Sequence, residues 1–168
     1  MVEASGAHAP LKVIFVCWGN ICRSPIAERV AERAAADAGI TSVMFTSAGT
    51  SAEELGNPMD ERAVRVLERA GYRAADHVAH QIDPEELATA DLVVAMEDIH
   101  VARLRRLDPD TEHVFLLSEF DPAAEPGSGL PDPWYGPDSA FDETLAAVER
   151  AMPAVLERVR ELQGSRAG

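Results

Sequence analysis

Val13-Ile-Phe-Val-Cys17-Trp-Gly-Asn-Ile-Cys22-Arg-Ser-Pro25 decides how this chain is read. Apolar β-formers from Val13 to Val16 end at a cysteine. A short polar turn with Gly19 and Asn20 follows, and Arg23-Ser24-Pro25 opens a helical pattern. That order predicts strand, loop, helix, with a thiol at the strand's carboxyl end, where open parallel sheets bind their ligands. The loop suits an anion, because successive backbone N–H groups and a helix N-terminus both attract negative charge. Arg23 can hold two oxygens at once with its planar fork. The same positive field favours the thiolate form of Cys17, and a thiolate is a nucleophile. One cysteine after an apolar run is ordinarily a small core residue, and one arginine is ordinarily solvated. The two around a tight turn at a helix start point to anion chemistry.

Working outward, strands and helices alternate. Strand one covers about 11–16. In the helix that follows, Ser24 and Pro25 fit N-cap and first-turn roles. Ile26, Val30, Ala34 and Ala38, with Ala27 and Ala31 beside them, predict its buried face, and Gly39 its end. Val43–Ser47 reads as strand two, turning away at 48–51. A loop over 51–58 leads to a helix ending near Ala70, with Ala63, Val66, Leu67 and Ala70 on one side and Gly71 as its stop. Asp83-Pro-Glu-Glu86 opens a short helix. Leu92–Met96 lacks alternation, as a strand covered on both faces should. A helix over about 97–107 and a strand at His113–Leu117 follow. Residues 121–137 are rich in Pro, Gly and Asp, a long loop of the kind that carries function. Phe141, Leu145, Val148, Met152, Val155, Val159 and Leu162 mark a core-facing final helix over about 138–163, in which Pro153 predicts a kink. The pattern predicts a single α/β domain over 11–163, with helices on both faces of a parallel sheet and tails at 1–10 and 164–168.

The 168 residues suit one domain with a real core. A net charge of −14 argues against nucleic acid and against anionic membrane surfaces as partners. A phosphate site in such a protein must generate its own local positive field. Two cysteines five residues apart do not form a secreted disulfide framework. Neither a signal peptide nor a membrane span is visible, so a reducing cytoplasm is expected, export by another route remaining open.

Cys-x5-Arg-Ser resembles the phosphate loop of the protein tyrosine phosphatases. The nine-residue string Cys17–Pro25 near the N-terminus is similar to the low-molecular-weight family in particular. The resemblance implies a four-stranded parallel sheet of the phosphotyrosine protein phosphatase I type, matching the strand count above. It also implies hydrolysis of phosphotyrosine proteins or small aryl phosphates without metal or cofactor, and a site that takes phosphate or other oxyanions. In this reading Cys17 attacks phosphorus, and the backbone of Trp18, Gly19, Asn20, Ile21 and Cys22 cradles the phosphate with Arg23. Ser24 donates a hydrogen bond to the thiolate, and Asn20 holds a left-handed turn or fixes the loop by side-chain bonds. The family's Asp-Pro-Tyr-Tyr-Gly motif, whose Asp is the general acid, is matched by Asp132-Pro-Trp-Tyr-Gly136, with Trp134 replacing the first Tyr and Tyr135 retained. Asp132 is then the proton donor, and the base for water in the second step. Ser47 and His77 match family members of a network behind the loop. Glu97 stands where the family has a structural Asp.

Specificity is where the chain departs from the family. Trp18 replaces the common Leu or Thr, and Ala52-Glu-Glu-Leu55 stands where a cleft Trp is often found. The expectation is a cleft walled by Trp18 and Trp134 around an aromatic ring, with Glu53 and Glu54 on its rim. The alternative for Trp18, given less weight, is a buried anchor. Cys22 is a small buried residue or, functionally, a resolving thiol for oxidised Cys17. Three other activities stay open. An arsenate reductase of the same fold uses further cysteines, and none follows Cys22. An arginine phosphatase of the family has Thr where Ile21 stands. A non-catalytic phosphate-binding module would be expected to lack the thiol, the arginine or the acid.

Overall fold

The computed structural model describes residues 9–167. Most of the tail expected at 1–10 therefore lies outside the described residues. β1 (Leu11–Cys17) leads through α1 (Arg23–Asp37) to β2 (Val43–Gly49). Next come α2 (Glu61–Arg69), α3 (Pro84–Thr89), β3 (Leu92–Ala95), α4 (Asp98–Leu107), β4 (Val114–Leu116) and α5 (Ser139–Ala167). The strands form one parallel sheet in the order β2-β1-β3-β4. The chain leaves β1 toward one side and returns on the other at β3. The crevice at the carboxyl ends of β1 and β3 is thus the topological switch point, where such sheets bind ligands.

Strand alternation sorts the core into two layers. Leu11, Val13, Phe15 and Cys17 face α1, α2 and α5, while Ile14 and Val16 face α3 and α4. Phe15 is fully buried and stacks on Phe45 at 6.3 Å between ring centroids. Burying a ring of that size is worth about 2–3 kcal/mol. Among the described residues no helix is long and apolar enough to cross a membrane.

Several boundaries differ from those expected. α1 starts at Arg23, so Ser24 lies inside the first turn, where its hydroxyl bonds to Cys17 and Asn20 instead of capping. The buried face of α1 includes Ile26, Ala27, Val30, Ala31 and Ala35, while Ala38 is exposed. The reason is geometric: each four-residue step overshoots a turn by about 40°, so the series from Ile26 rotates into solvent by Ala38. Ala70, similarly, is exposed at the end of α2. β2 runs two residues further than expected because pairing with β1 continues to Cys17 opposite Gly49. β4 is shorter, since a 3-10 turn over Leu117–Phe120 begins where the strand was expected to end. α5 continues through Pro153, which is exposed, so its missing hydrogen bond falls on the solvent side. Residues 164–167 extend this helix instead of forming a tail, and Gln163 ties its end to the Thr41 carbonyl at 2.8 Å.

The long loop after β4 is pinned where it begins. Asp121 accepts from Arg150 Nε and Nη2 of α5, both at 3.1 Å, and from the Ala123 N–H at 2.9 Å. Burial pushes the Asp121 carboxyl up, but the Arg150 fork and the Ala123 N–H outweigh it and hold it below the usual range. A carboxyl lowered on folding stabilises the native state above its unfolded value, near 3.9, and loses that contribution as pH falls through the folded value. Arg150 is nearly half exposed, so the effect is small, about 1 kcal/mol. In urea titrations Asp121→Asn is expected to be less stable than wild type by that amount at pH 7. The gap should close as pH drops below about 4. A gap of equal size at both pH values would refute the ionic account.

Candidate active site

The parity of β1 turns the Cys17 side chain toward α1, where it is 2% exposed. The loop that follows turns sharply at Asn20, whose φ of 64° is left-handed, a conformation asparagine tolerates. Among the described residues, none of the backbone N–H groups of residues 18–22 donates to a protein acceptor. These donors lie between the end of β1 and the N-terminus of α1, as an anion cradle requires.

Side-chain bonds behind the loop fix its shape and its proton directions. Ser47 Oγ donates to Glu28 Oε1 at 2.6 Å. Asn20 Nδ2 donates to Ser47 Oγ at 3.0 Å and to Ser24 Oγ at 2.8 Å, and Asn20 Oδ1 accepts from the His80 N–H at 3.0 Å. Ser24 therefore has its own proton free for Cys17 Sγ, 3.0 Å away. His77 Nε2 meets the Asn20 carbonyl at 2.6 Å, and since a carbonyl only accepts, that nitrogen donates. Burial pushes the His77 imidazole down, favouring its neutral form.

Arg23, 2% exposed, joins three segments. Nη1 bonds to Glu97, after β3, and donates to the Leu130 carbonyl at 2.8 Å. Nη2 lies 3.6 Å from Asp132 Oδ2, and Nε is buried without a hydrogen-bond partner among the described residues. Asp132 Oδ1 accepts the Trp134 N–H at 3.1 Å, which leaves Oδ2 toward the arginine. Glu97 is held in turn by His100, whose Nδ1 accepts the Glu97 N–H at 3.1 Å. Burial first, and then the charges of Arg23 and Arg103, push His100 down to about 3, so it stays neutral and can accept.

Cys17, Trp18, Gly19, Ile21, Cys22, Arg23, Asp132, Trp134 and Tyr135 line one cleft, with Glu53 and Glu54 at its edge. Of the other expected residues, Asn20, Ser24, Ser47 and His77 lie in the network behind the loop, and Glu97 braces Arg23. Trp18 is a cleft wall, not a buried anchor. Trp134 is 49% exposed and meets Tyr135 edge to face at 5.1 Å. Cys22 is buried beside Cys17 and both thiols are free. Burial, then the charges of Asp60, Cys17 and Asp132, push the Cys22 thiol up, so it stays protonated.

Glu28, His80, Asp60 and Arg62 were not anticipated. The Asp60 N–H donates to the Ile21 carbonyl at 2.9 Å, and its carboxylate accepts Arg62 Nη2 at 3.1 Å. Arg62 lies over the Phe141 ring and reaches the Trp134 and Gly136 carbonyls at 3.5 Å, so α2 links the phosphate loop to the segment carrying Asp132. Of these four, Asp60 carried a sequence signal, as an acidic residue able to cap the helix that begins at Glu61. Gly49 has a clear cause: a Cβ there would stand 2.7 Å from the Trp18 carbonyl oxygen.

The sequence model for the low molecular weight phosphotyrosine protein phosphatases matches residues 12–164. The low molecular weight protein-tyrosine phosphatase A of Mycobacterium tuberculosis is 42% identical over 154 residues, 90% of this chain and 93% of that protein. The crystal structure of a protein tyrosine phosphatase from Entamoeba histolytica, with Hepes in the active site, superposes with a TM-score of 0.84 at 27% identity, covering 90% of this chain and 97% of that one. Vibrio vulnificus Wzb in complex with benzylphosphonate superposes at 0.78 with 26% identity, covering 88% and 98%.

Proposed function

The chain belongs to the low molecular weight phosphotyrosine protein phosphatase family and is a protein-tyrosine-phosphatase; we propose that it acts without metal through a phosphocysteine on Cys17, with Asp132 as acid and then base. One observation carries the reading: the guanidinium at the base of the Cys17 loop is within 3.6 Å of a carboxylate from the distant loop.

A phosphate monoester enters with its oxygens on the N–H groups of the loop and on Arg23. The Cys17 thiolate forms a bond to phosphorus as the bond to the aryl oxygen breaks, and the departing oxygen takes the Asp132 proton. Water then attacks phosphorus, the Asp132 carboxylate accepts its proton, and the sulfur leaves as a thiolate hydrogen-bonded by Ser24. Inorganic phosphate is released. Such transfer is chiefly positioning and charge stabilisation, which the loop and Arg23 supply. Glu97, Leu130 and the Asn20 network hold these groups in place. Trp18 and Trp134 offer aromatic walls to a phenyl ring, and the Glu53–Glu54 rim disfavours acidic peptides.

The test compares phosphotyrosine, phosphoserine and phosphoarginine peptides of one sequence with chelator present, and traps the intermediate by rapid acid quench. Phosphotyrosine should be the preferred substrate, and the quenched protein should gain one phosphoryl group on Cys17. A preference for phosphoarginine, or a quenched protein without the phosphoryl group, would overturn the proposal.

A further inference from the structure

Trp18 follows the strand by one residue, so it turns to the face opposite Cys17, toward α4. There the Arg103 guanidinium lies over the indole at 4.6 Å from the ring centroid. Arg103 is itself anchored, because Nη2 donates to the Thr50 carbonyl at 3.0 Å, an oxygen that also accepts Gln81 Nε2 at 3.1 Å. Its Nε is buried with no hydrogen-bond partner among the described residues. The backbone of Trp18 is pinned by the same segment. Ser51 donates both its N–H and its Oγ–H to the Trp18 carbonyl at 3.0 Å, and the Thr50 N–H donates to the Cys17 carbonyl at 2.9 Å. Both the backbone and the ring of Trp18 are therefore held from behind, while its other side lines the cleft.

We propose that Arg103 is a positioning residue for substrate selection: by stacking on Trp18 it holds the indole as a wall of the cleft and so favours aryl over non-aromatic phosphates. The inference rests on the cleft being an aryl phosphate site. Arg103 touches neither the phosphate loop's donors nor Asp132. Removing it should loosen the grip on the ring and leave the grip on the phosphate intact. A cation–π contact of this kind corresponds to roughly a three- to tenfold change in affinity.

The experiment measures inhibition constants for benzylphosphonate and inorganic phosphate against p-nitrophenyl phosphate turnover, in wild type, Arg103→Leu and Arg103→Gln. The Gln variant can keep a donor for the Thr50 carbonyl while losing the cation. Benzylphosphonate should weaken roughly three- to tenfold in both variants while the phosphate constant stays unchanged. In a Trp18→Leu background, Arg103→Leu should have no further effect, the mark of direct coupling. An active wild type whose variants keep the benzylphosphonate constant, or lose phosphate in equal measure, would overturn the Arg103 assignment alone. So would an undiminished effect of Arg103→Leu without Trp18. A wild type that binds phosphate but turns over no aryl phosphate would instead overturn the phosphatase reading.

Discussion

Cys17→Ser is expected to lower kcat for p-nitrophenyl phosphate by roughly 10⁴-fold or more while phosphate still binds. The change replaces one atom at a position that is 2% exposed, so loop packing has little reason to move. Everything that positions an anion survives it: the N–H groups of residues 18–22, the Arg23 guanidinium and the Asn20 network. What is lost is the nucleophile. A hydroxyl at this position is protonated at neutral pH and has no base beside it. Ser24, the neighbour at 3.0 Å, has its acceptor side already turned to Asn20 Nδ2. Turnover and calorimetric phosphate titration together check the result. Near-normal turnover by Cys17→Ser would refute the thiol mechanism. Loss of turnover together with loss of phosphate binding would show that the substitution had damaged the loop and that Cys17 has a structural role in it.

Asp132→Asn is expected to reduce kcat by roughly 10²–10³-fold for phosphotyrosine and clearly less for p-nitrophenyl phosphate. Protonation matters most when the departing oxygen is a poor leaving group, and a nitrophenolate disperses its charge. Asparagine keeps the shape and an oxygen for the Trp134 N–H, the bond that orients this side chain at 3.1 Å. It removes the oxygen that stands 3.6 Å from Arg23 Nη2, and with it the carboxyl proton that the proposed mechanism delivers to the leaving group. The pH limb that reports the acid should vanish from the kcat profile. Equal losses for both leaving groups would mean that Asp132 only positions Arg23, and that the proton comes from elsewhere.

The strand–loop–helix reading of Val13–Pro25 survived because it rests on local rules: an apolar run, a turn residue that accepts a left-handed backbone, and a helix start. Asp132 was singled out on another ground, the resemblance of Asp132–Gly136 to a five-residue family motif, and the structure places its carboxylate 3.6 Å from Arg23. Periodicity was less secure. Ala38 left the buried face of α1 because a four-residue repeat drifts around a 3.6-residue helix. The end of α5 was misjudged because its last turns are held by bonds to backbone far away in sequence, such as Gln163 to Thr41. Glu28, Arg62 and Arg103 were missed on the same ground. Each is an ordinary surface residue type whose meaning comes from a partner on another element: Ser47, the Trp134 carbonyl and Trp18.

The sequence by itself determined the alternation of strands and helices, the thiol at a strand's end, the arginine at the start of the next helix and the presence of Asp132 in a long loop before the last helix. Those features depend on short-range geometry and on the chemistry of single side chains. Only the tertiary structure decided that Asp132 meets Arg23 across more than a hundred residues. It also decided that Asn20 ties Ser24 to Ser47 behind the loop, and that Trp18 is held from behind by α4. Such contacts arise when the sheet order and the strand parity bring distant segments to the same crevice, and no local pattern in the chain encodes that meeting.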